Sequence, residues 1–230
     1  MLRTAHLDVS YGPLQALFDV SVDLAPGESV ALIGPKGAGK TTLLRAIAGA
    51  LRSRRGCITL GGAAIGGDPE HLQLARGIAL VPAGARLFSS LTVHENLLVA
   101  QECGRPGRWN VERVLFELPM LRGLVKRPAA AVSCGQRQLV AVARALLANP
   151  DVLLCDEASR GLSPSAVDAV YRLLGKVREA GTAVALVEQS LPRALQESDR
   201  YYCFQRGRVV LDGMSLLTDA RDVARACLGG

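Results

Sequence analysis

The stretch "SVALIGPKGAGKTTLLRAIAGAL", Ser29 to Leu51, decides how the chain reads. Its first five residues, 29 to 33, form an apolar run that suits a buried strand and ends in glycine. Leu43, Leu44, Ile47 and Leu51 then recur at helical spacing, with a stop near Gly49. Between strand and helix, "GPKGAGKTT" at 34–42 fits G-x-x-x-x-G-K-[ST], in the strand–loop–helix setting that motif requires. Gly34, Gly37 and Gly39, interleaved with Pro35, Lys36 and Ala38, let backbone N–H groups close on phosphate oxygens where a Cβ would intrude. The helix that starts at Lys40 points free N–H groups and a positive dipole end at the same anion. Lys40 is placed to reach the β- and γ-phosphates. The Thr41 hydroxyl is a candidate Mg²⁺ ligand, and Thr42 a further phosphate contact.

A second signal stands far along the chain. "VLLCDE", 152–157, is an apolar strand that delivers two carboxylates at its C-terminal end, where open α/β sheets bind ligands. Asp156 is the candidate for holding Mg²⁺ through water. Glu157 is the candidate for orienting and deprotonating an attacking water.

Around these, the chain of 230 residues is long enough for one domain with a subdomain. A charged share of 21% against 49% hydrophobic is an ordinary globular balance, and the net charge of +6 favours anionic partners without choosing among them. The cysteines, Cys57, Cys103, Cys134, Cys155, Cys203 and Cys227, include no C-x-x-C pair, so metal spacing is absent. Scattered in this way, they read as reduced thiols of a cytosolic protein. No signal-like apolar run opens the chain and no stretch of about 18 apolar residues occurs, so any membrane role is expected to be peripheral.

Strand and helix signals alternate. Val20, Val22 and Leu24 alternate before the turn "APGE"; "CITL", "GIALV" and "TAVALVE" read as strands; "YYCFQRGRVVLDG" reads as a hairpin about Arg206-Gly207. Ser163 is the expected cap of a helix with Pro164 at its first position and Val167, Val170, Leu174 and Val177 on its apolar face. The pattern predicts an α/β fold: a phosphate-loop NTPase core with a mostly parallel sheet, an antiparallel β subdomain and an inserted helical subdomain. The expected division is core 1–85 and 148–230, helical subdomain 86–147. The helical segment carries the only tryptophan, Trp109, and the loop "CGRPGR", a candidate boundary.

With these motifs in order, the whole chain resembles the ATP-binding subunit of an ABC transporter. "VSCGQRQ", 132–138, looks like that family's signature, usually L-S-G-G-[EQ]-x-Q. The resemblance implies that Ser133, Gly135 and Gln136 contact the ATP held by a second, head-to-tail subunit. Ser133 and the amides from Gly135 onward also form a second anion-facing helix start on physical grounds, and Leu139, Val142, Ala143 and Leu146 give that helix a buried face. Tyr11-Gly12 resembles the aromatic loop on which adenine stacks. "RGLSP", 160–164, sits where the family's subunit-contacting loop follows the acidic pair. Gln189 stands at the switch position, where many relatives have His facing the γ-phosphate. "LFSSLTVHENLLVA" and this Gln look closest to the branched-chain amino-acid importer class, which takes up hydrophobic amino acids, or sometimes amides and urea. The resemblance thus implies ATP and Mg²⁺, a homo- or heterodimer of ATP-binding subunits, membrane permease subunits, an external solute-binding protein, and a place on the cytoplasmic face of the membrane.

Five positions depart from the family pattern: Lys36 for asparagine, Ala83 for a glutamine that helps ligate Mg²⁺, Cys134 for the first signature glycine, Ala158 for proline, and Arg160 for an uncharged residue. They leave open a weakly hydrolysing regulatory subunit beside the transport ATPase. Nucleic-acid-associated relatives usually carry two ATP domains in one chain or a long coiled-coil insertion. Neither is here, so no nucleic-acid partner is expected.

Overall fold

In the computed structural model, which describes residues 1–229, two sheets carry the strands. The first is antiparallel, in the order β2-β1-β4-β5, from Leu2–Tyr11 (β1), Leu14–Leu24 (β2), Ser53–Leu60 (β4) and Ala63–Ala64 (β5). The second, six-stranded sheet runs β10-β9-β3-β8-β7-β6, built from Ser29–Ile33 (β3), Ile78–Val81 (β6), Val152–Asp156 (β7), Ala183–Val187 (β8), Arg200–Gln205 (β9) and Arg208–Met214 (β10). All its neighbours pair in parallel except the β9–β10 hairpin, which turns at Arg206-Gly207 with both residues left-handed. The expected phosphate-loop α/β core and antiparallel subdomain are therefore present.

The central strands read as unbroken apolar runs because both of their faces are covered. On β7, Leu153 and Cys155 face a core shared with Val93–Glu102 (α3), Val111–Glu117 (α4), Cys134–Leu147 (α5) and Pro164–Glu179 (α6). Val152 and Leu154 face the opposite core, shared with Lys40–Ile47 (α1) and the antiparallel sheet. One strand thus ties the helical segment to the nucleotide-loop side by simple two-residue alternation. A third, smaller cluster joins Ala31, Ile33, Tyr201 and Cys203 to Leu191–Gln196 (α7) and to Ala220–Ala224 (α8); the remaining helix, Glu70–Ala75 (α2), precedes β6.

Two local expectations need correction, the Ser163 cap and the unpaired cysteines. Ser163 does hold the N-cap position of α6 with extended backbone, but its hydroxyl makes no capping bond and instead faces the Ser165 hydroxyl at 3.3 Å. The loop 103–108 is bound back onto the sheet: Arg105 donates to the Asn149 carbonyl at 2.6 Å and to Asp151 at 2.8 Å. Asn149, left-handed in its backbone, bonds both the N–H and the carbonyl of Trp109 through its side chain. The cysteines are not all unpaired: Cys203 on β9 and Cys227 form a disulfide, with Cα atoms 5.7 Å apart. Cys57, Cys103, Cys134 and Cys155 are free. That pairing depends on a strand and the C-terminal helix meeting in space, which a sequence separation of 24 does not announce. Among the described residues no helix is long and apolar enough to cross a membrane.

Candidate functional site

β3 is buried along its whole length and releases the chain at Gly34 on the C-terminal edge of the sheet. A side chain at Gly34 would run into the Phe204 backbone of β9, so the loop can leave the sheet only as glycine. At Gly37, φ is +82° and the space above is open, a concave backbone with room for an anion. Gly39 ends the loop as the N-cap of α1 without any side-chain cap, so the first N–H groups of that helix stay available to a ligand. Lys40 folds over the loop, its Nζ donating to the carbonyls of Gly34 at 2.6 Å and Pro35 at 2.8 Å. Burial holds its pKa below the ordinary lysine value, against the opposing pull of Glu157 and Asp156. Ala38 is buried, while Lys36 is exposed with its side chain away from the loop's hydrogen bonds.

The two proposed metal ligands meet across 115 residues. Thr41 Oγ1 donates to Asp156 Oδ1 at 3.0 Å. Asp156 is 3% exposed, and burial raises its pKa, with the charge of Glu157 adding to the rise and the Thr41 bond opposing it. Thr42 is buried on α1, and the Tyr11 hydroxyl comes within 3.4 Å of its Oγ1, so Tyr11 stands beside the phosphate loop with its ring 40% exposed. These residues suit Mg²⁺ with nucleotide phosphates: two oxygen donors at a phosphate-shaped loop, and no cage of three or more His, Cys, Asp or Glu among the described residues.

Glu157 continues from β7 with φ +55°, a strained left-handed backbone held by its N–H donating to the Val187 carbonyl at 3.0 Å. Its Oε1 accepts from Gln189 Nε2 at 3.0 Å, a contact between the acid and the switch residue that the sequence did not announce. Sequence reasoning missed what surrounds them. Arg160 donates to Glu157 Oε2 at 3.0 Å. Ser159 bonds both oxygens of Glu188 at 2.8 and 2.7 Å, and Tyr171 donates to the same carboxylate at 2.5 Å. Burial, and then the bond to Glu188, push the Tyr171 hydroxyl well above its ordinary pKa, which keeps it a donor. The acidic residue beside Gln189 was the one available signal. Burial pushes the Cys155 thiol up to about 12, which makes it an inert core residue.

The signature segment makes no hydrogen bond to these side chains and meets the 160–164 loop instead. Ser133 caps α5 in a reciprocal box: its Oγ accepts from the Gln136 N–H at 3.2 Å, and Gln136 Oε1 accepts from the Ser133 N–H at 2.9 Å. Gly135 packs against the Gly161 carbonyl so closely that a Cβ would collide with it, which joins the helix start to the 160–164 loop. Cys134 is exposed at the first position of α5. Of the predicted residues, the fold links Tyr11 to Thr42, Thr41 to Asp156 and Gln189 to Glu157, while Ser133 and Gln136 bond each other and Gly135 is buried against the 160–164 loop.

This geometry has known counterparts. Residues 17–160 match the model of the ABC transporter family. The chain belongs to that family. It is 38% identical over its full length to the whole of the high-affinity branched-chain amino acid transport ATP-binding protein BraG of Pseudomonas aeruginosa. It is 35% identical to the probable branched-chain amino acid transport ATP-binding protein LivF of Archaeoglobus fulgidus, covering all of this chain and 99% of that one. The ATP-binding subunit of an ABC transporter superposes with a TM-score of 0.85 at 29% identity, covering 93% of this chain and 90% of its own. A dimeric ATP-binding cassette in a post-hydrolysis state with ADP and Pi gives 0.83 at 26% identity, covering 94% and 99%. The cassette is accordingly an ATPase of the ABC type.

Proposed function

We infer that the chain is the energising subunit of a solute importer. Two ATP-binding subunits pair head to tail, bind MgATP and hydrolyse it to drive uptake of branched-chain or other hydrophobic amino acids, or of amides or urea. The observation that carries this reading is the joint placement of Thr41–Asp156 and Glu157–Gln189 at the mouth of one phosphate loop. The full-length similarity to two branched-chain amino acid transport ATP-binding proteins supports the solute class.

In this reading the 34–39 amides and Lys40 cradle the β- and γ-phosphates, and Tyr11 stacks on the adenine. Thr41 and Asp156 would hold Mg²⁺, which neutralises charge on the β- and γ-phosphate oxygens. Glu157 accepts a proton from water as the water oxygen bonds the γ-phosphorus. The bond from that phosphorus to the β–γ bridging oxygen breaks, and ADP and inorganic phosphate leave. Gln189 orients Glu157 and faces the γ-phosphate. Ser133, Gly135 and Gln136 contact the ATP of the paired subunit.

The chain divides into a core of 1–85 and 148–230 and a helical subdomain of 86–147, works at the cytoplasmic membrane face, and serves permease subunits fed by a solute-binding protein. A groove lined by Leu80, Pro82, Phe88 and Cys103, and edged by Arg86 and Arg144, runs where the two parts meet and suits a permease segment with apolar and acidic residues. Arg144 is stacked over the Phe88 ring at 4.9 Å and bonds the Arg86 carbonyl at 2.7 Å, so its charge is held at that rim. A second reading, a subunit that binds ATP but leaves turnover to a partner, draws on Ala83, which has no side chain to offer Mg²⁺. Steady-state ATP hydrolysis separates the two. Glu157→Gln is expected to slow turnover at least about 100-fold with MgATP affinity retained. Equal rates in both proteins would sink the hydrolytic reading.

A further inference from the structure

Arg160 is the departure from the family pattern that touches the reacting machinery. Its guanidinium donates to Glu157 Oε2 at 3.0 Å while Gln189 occupies Oε1 at 3.0 Å. Both oxygens of the carboxylate that must receive a proton from water are thus engaged by donors of the same chain.

The contact is built into the backbone. The Arg160 N–H closes a turn onto the Glu157 carbonyl at 3.0 Å, which places residue 160 over residue 157. The next anchor is Ser159, fastened to both oxygens of Glu188, which is itself held by Tyr171. Glu157 is pinned from the other side by its N–H bond to Val187. The loop between the acidic pair and α6 therefore presents Arg160 to Glu157 in one arrangement. At the same time the Arg160 side chain is 64% exposed, so the ion pair is solvent-screened and easily exchanged for another partner. Gly161, the next residue, abuts the signature helix start at Gly135, so the loop that carries Arg160 is coupled to the surface offered to a second subunit.

We propose that Arg160 is a positioning residue that restrains Glu157 in the unpaired subunit, a brake released when the 160–164 loop meets its partner. The proposal rests on the hydrolytic reading above, because it acts only through Glu157. The released state needs no new group: Arg160 swings into solvent or onto the facing subunit, and Glu157 regains an oxygen for water.

The test is steady-state hydrolysis by the purified full chain, in a dilution series from concentrations where the rate per subunit still rises up to the plateau where it no longer does, for wild type, Arg160→Leu, Arg160→Lys, Glu157→Gln and the double variant Glu157→Gln/Arg160→Leu. An exposed ion pair of this kind limits the gain to about fivefold. Arg160→Leu is expected to raise the rate per subunit about two- to fivefold at the dilute end, with KM for MgATP unchanged and the gain lost at the plateau where subunits are paired. Arg160→Lys, which keeps the charge, stays near wild type. In the Glu157→Gln background the leucine adds nothing. An unchanged or lower rate of Arg160→Leu at the dilute end overturns the proposal, as does an acceleration that persists without Glu157 or that is equally large at the plateau. If Glu157→Gln alone hydrolyses like wild type, the hydrolytic reading fails and the brake with it; if Glu157→Gln is slow but Arg160→Leu is not faster, only the brake fails.

Discussion

Two helix starts in this chain are candidate anion sites, and they are built differently. α1 begins at Gly39 with no side chain spent on capping, so its amides, the glycine loop and Lys40 are all available to phosphate. α5 begins at Ser133 with a reciprocal capping box that already satisfies the Gln136 N–H and the Ser133 N–H. The first start can hold an anion by itself. The second has spent part of its donor set on its own stability, carries no cation in its first turn before Arg137, and puts a cysteine where close backbone approach is needed. What separates a primary phosphate site from an auxiliary one is thus the bookkeeping of a few amides rather than the helix dipole, which both possess.

That contrast can be broken in three places. The largest effect is expected from Lys40→Ala, which removes charge-assisted bonds to phosphate and should weaken MgATP binding to the single subunit about 100-fold by calorimetry. Unchanged affinity would mean that α1 is not the primary site. A smaller effect belongs to the other helix. Cys134→Gly leaves the α1 loop intact, so binding by the single subunit should stay as it is. Relieving a crowded contact worth about 1 kcal/mol should raise turnover about fivefold once two subunits close. A change in single-subunit affinity without a change in turnover would contradict the division of labour. The smallest effect is structural. Ser133→Ala deletes the capping hydroxyl, and about 1 kcal/mol of stability, roughly 2–4 °C in Tm, should be lost. The corresponding Gly39→Ser change should gain nothing from capping, because Gly39 has φ +108° and a side chain there meets Leu17.

The motif-bearing segments were legible because their physics is local. A buried strand, three glycines, a lysine and a helical apolar stripe occupy 23 consecutive residues, and their meaning does not depend on what packs around them. The Arg206-Gly207 hairpin and the buried face of α5 were legible for the same reason. The expected Ser163 cap failed because a neighbouring hydroxyl, Ser165, competes for the side chain once the turn forms. β1 gave little signal: bulges interrupt its pairing with both neighbours, and at one of them His6 turns left-handed, so a strict two-residue pattern is broken. The Cys203–Cys227 pair, the Glu188–Tyr171 contact and the Asn149 bridge to Trp109 join partners 24, 17 and 40 residues apart, with no spacing rule to reveal them.

By itself, then, the amino-acid sequence determined that this protein carries a phosphate loop, an acidic strand end and a second helix start capped by serine, because each is set by adjacent residues acting on their own backbone. Only the tertiary structure decided which of these groups touch. It brought Thr41 to Asp156, Gln189 to Glu157 and Arg160 onto the same carboxylate, and set Gly135 against Gly161. Parallel strands deliver distant loops to one edge of a sheet, and which loops become neighbours depends on strand order, a property of the packed core that no single segment contains.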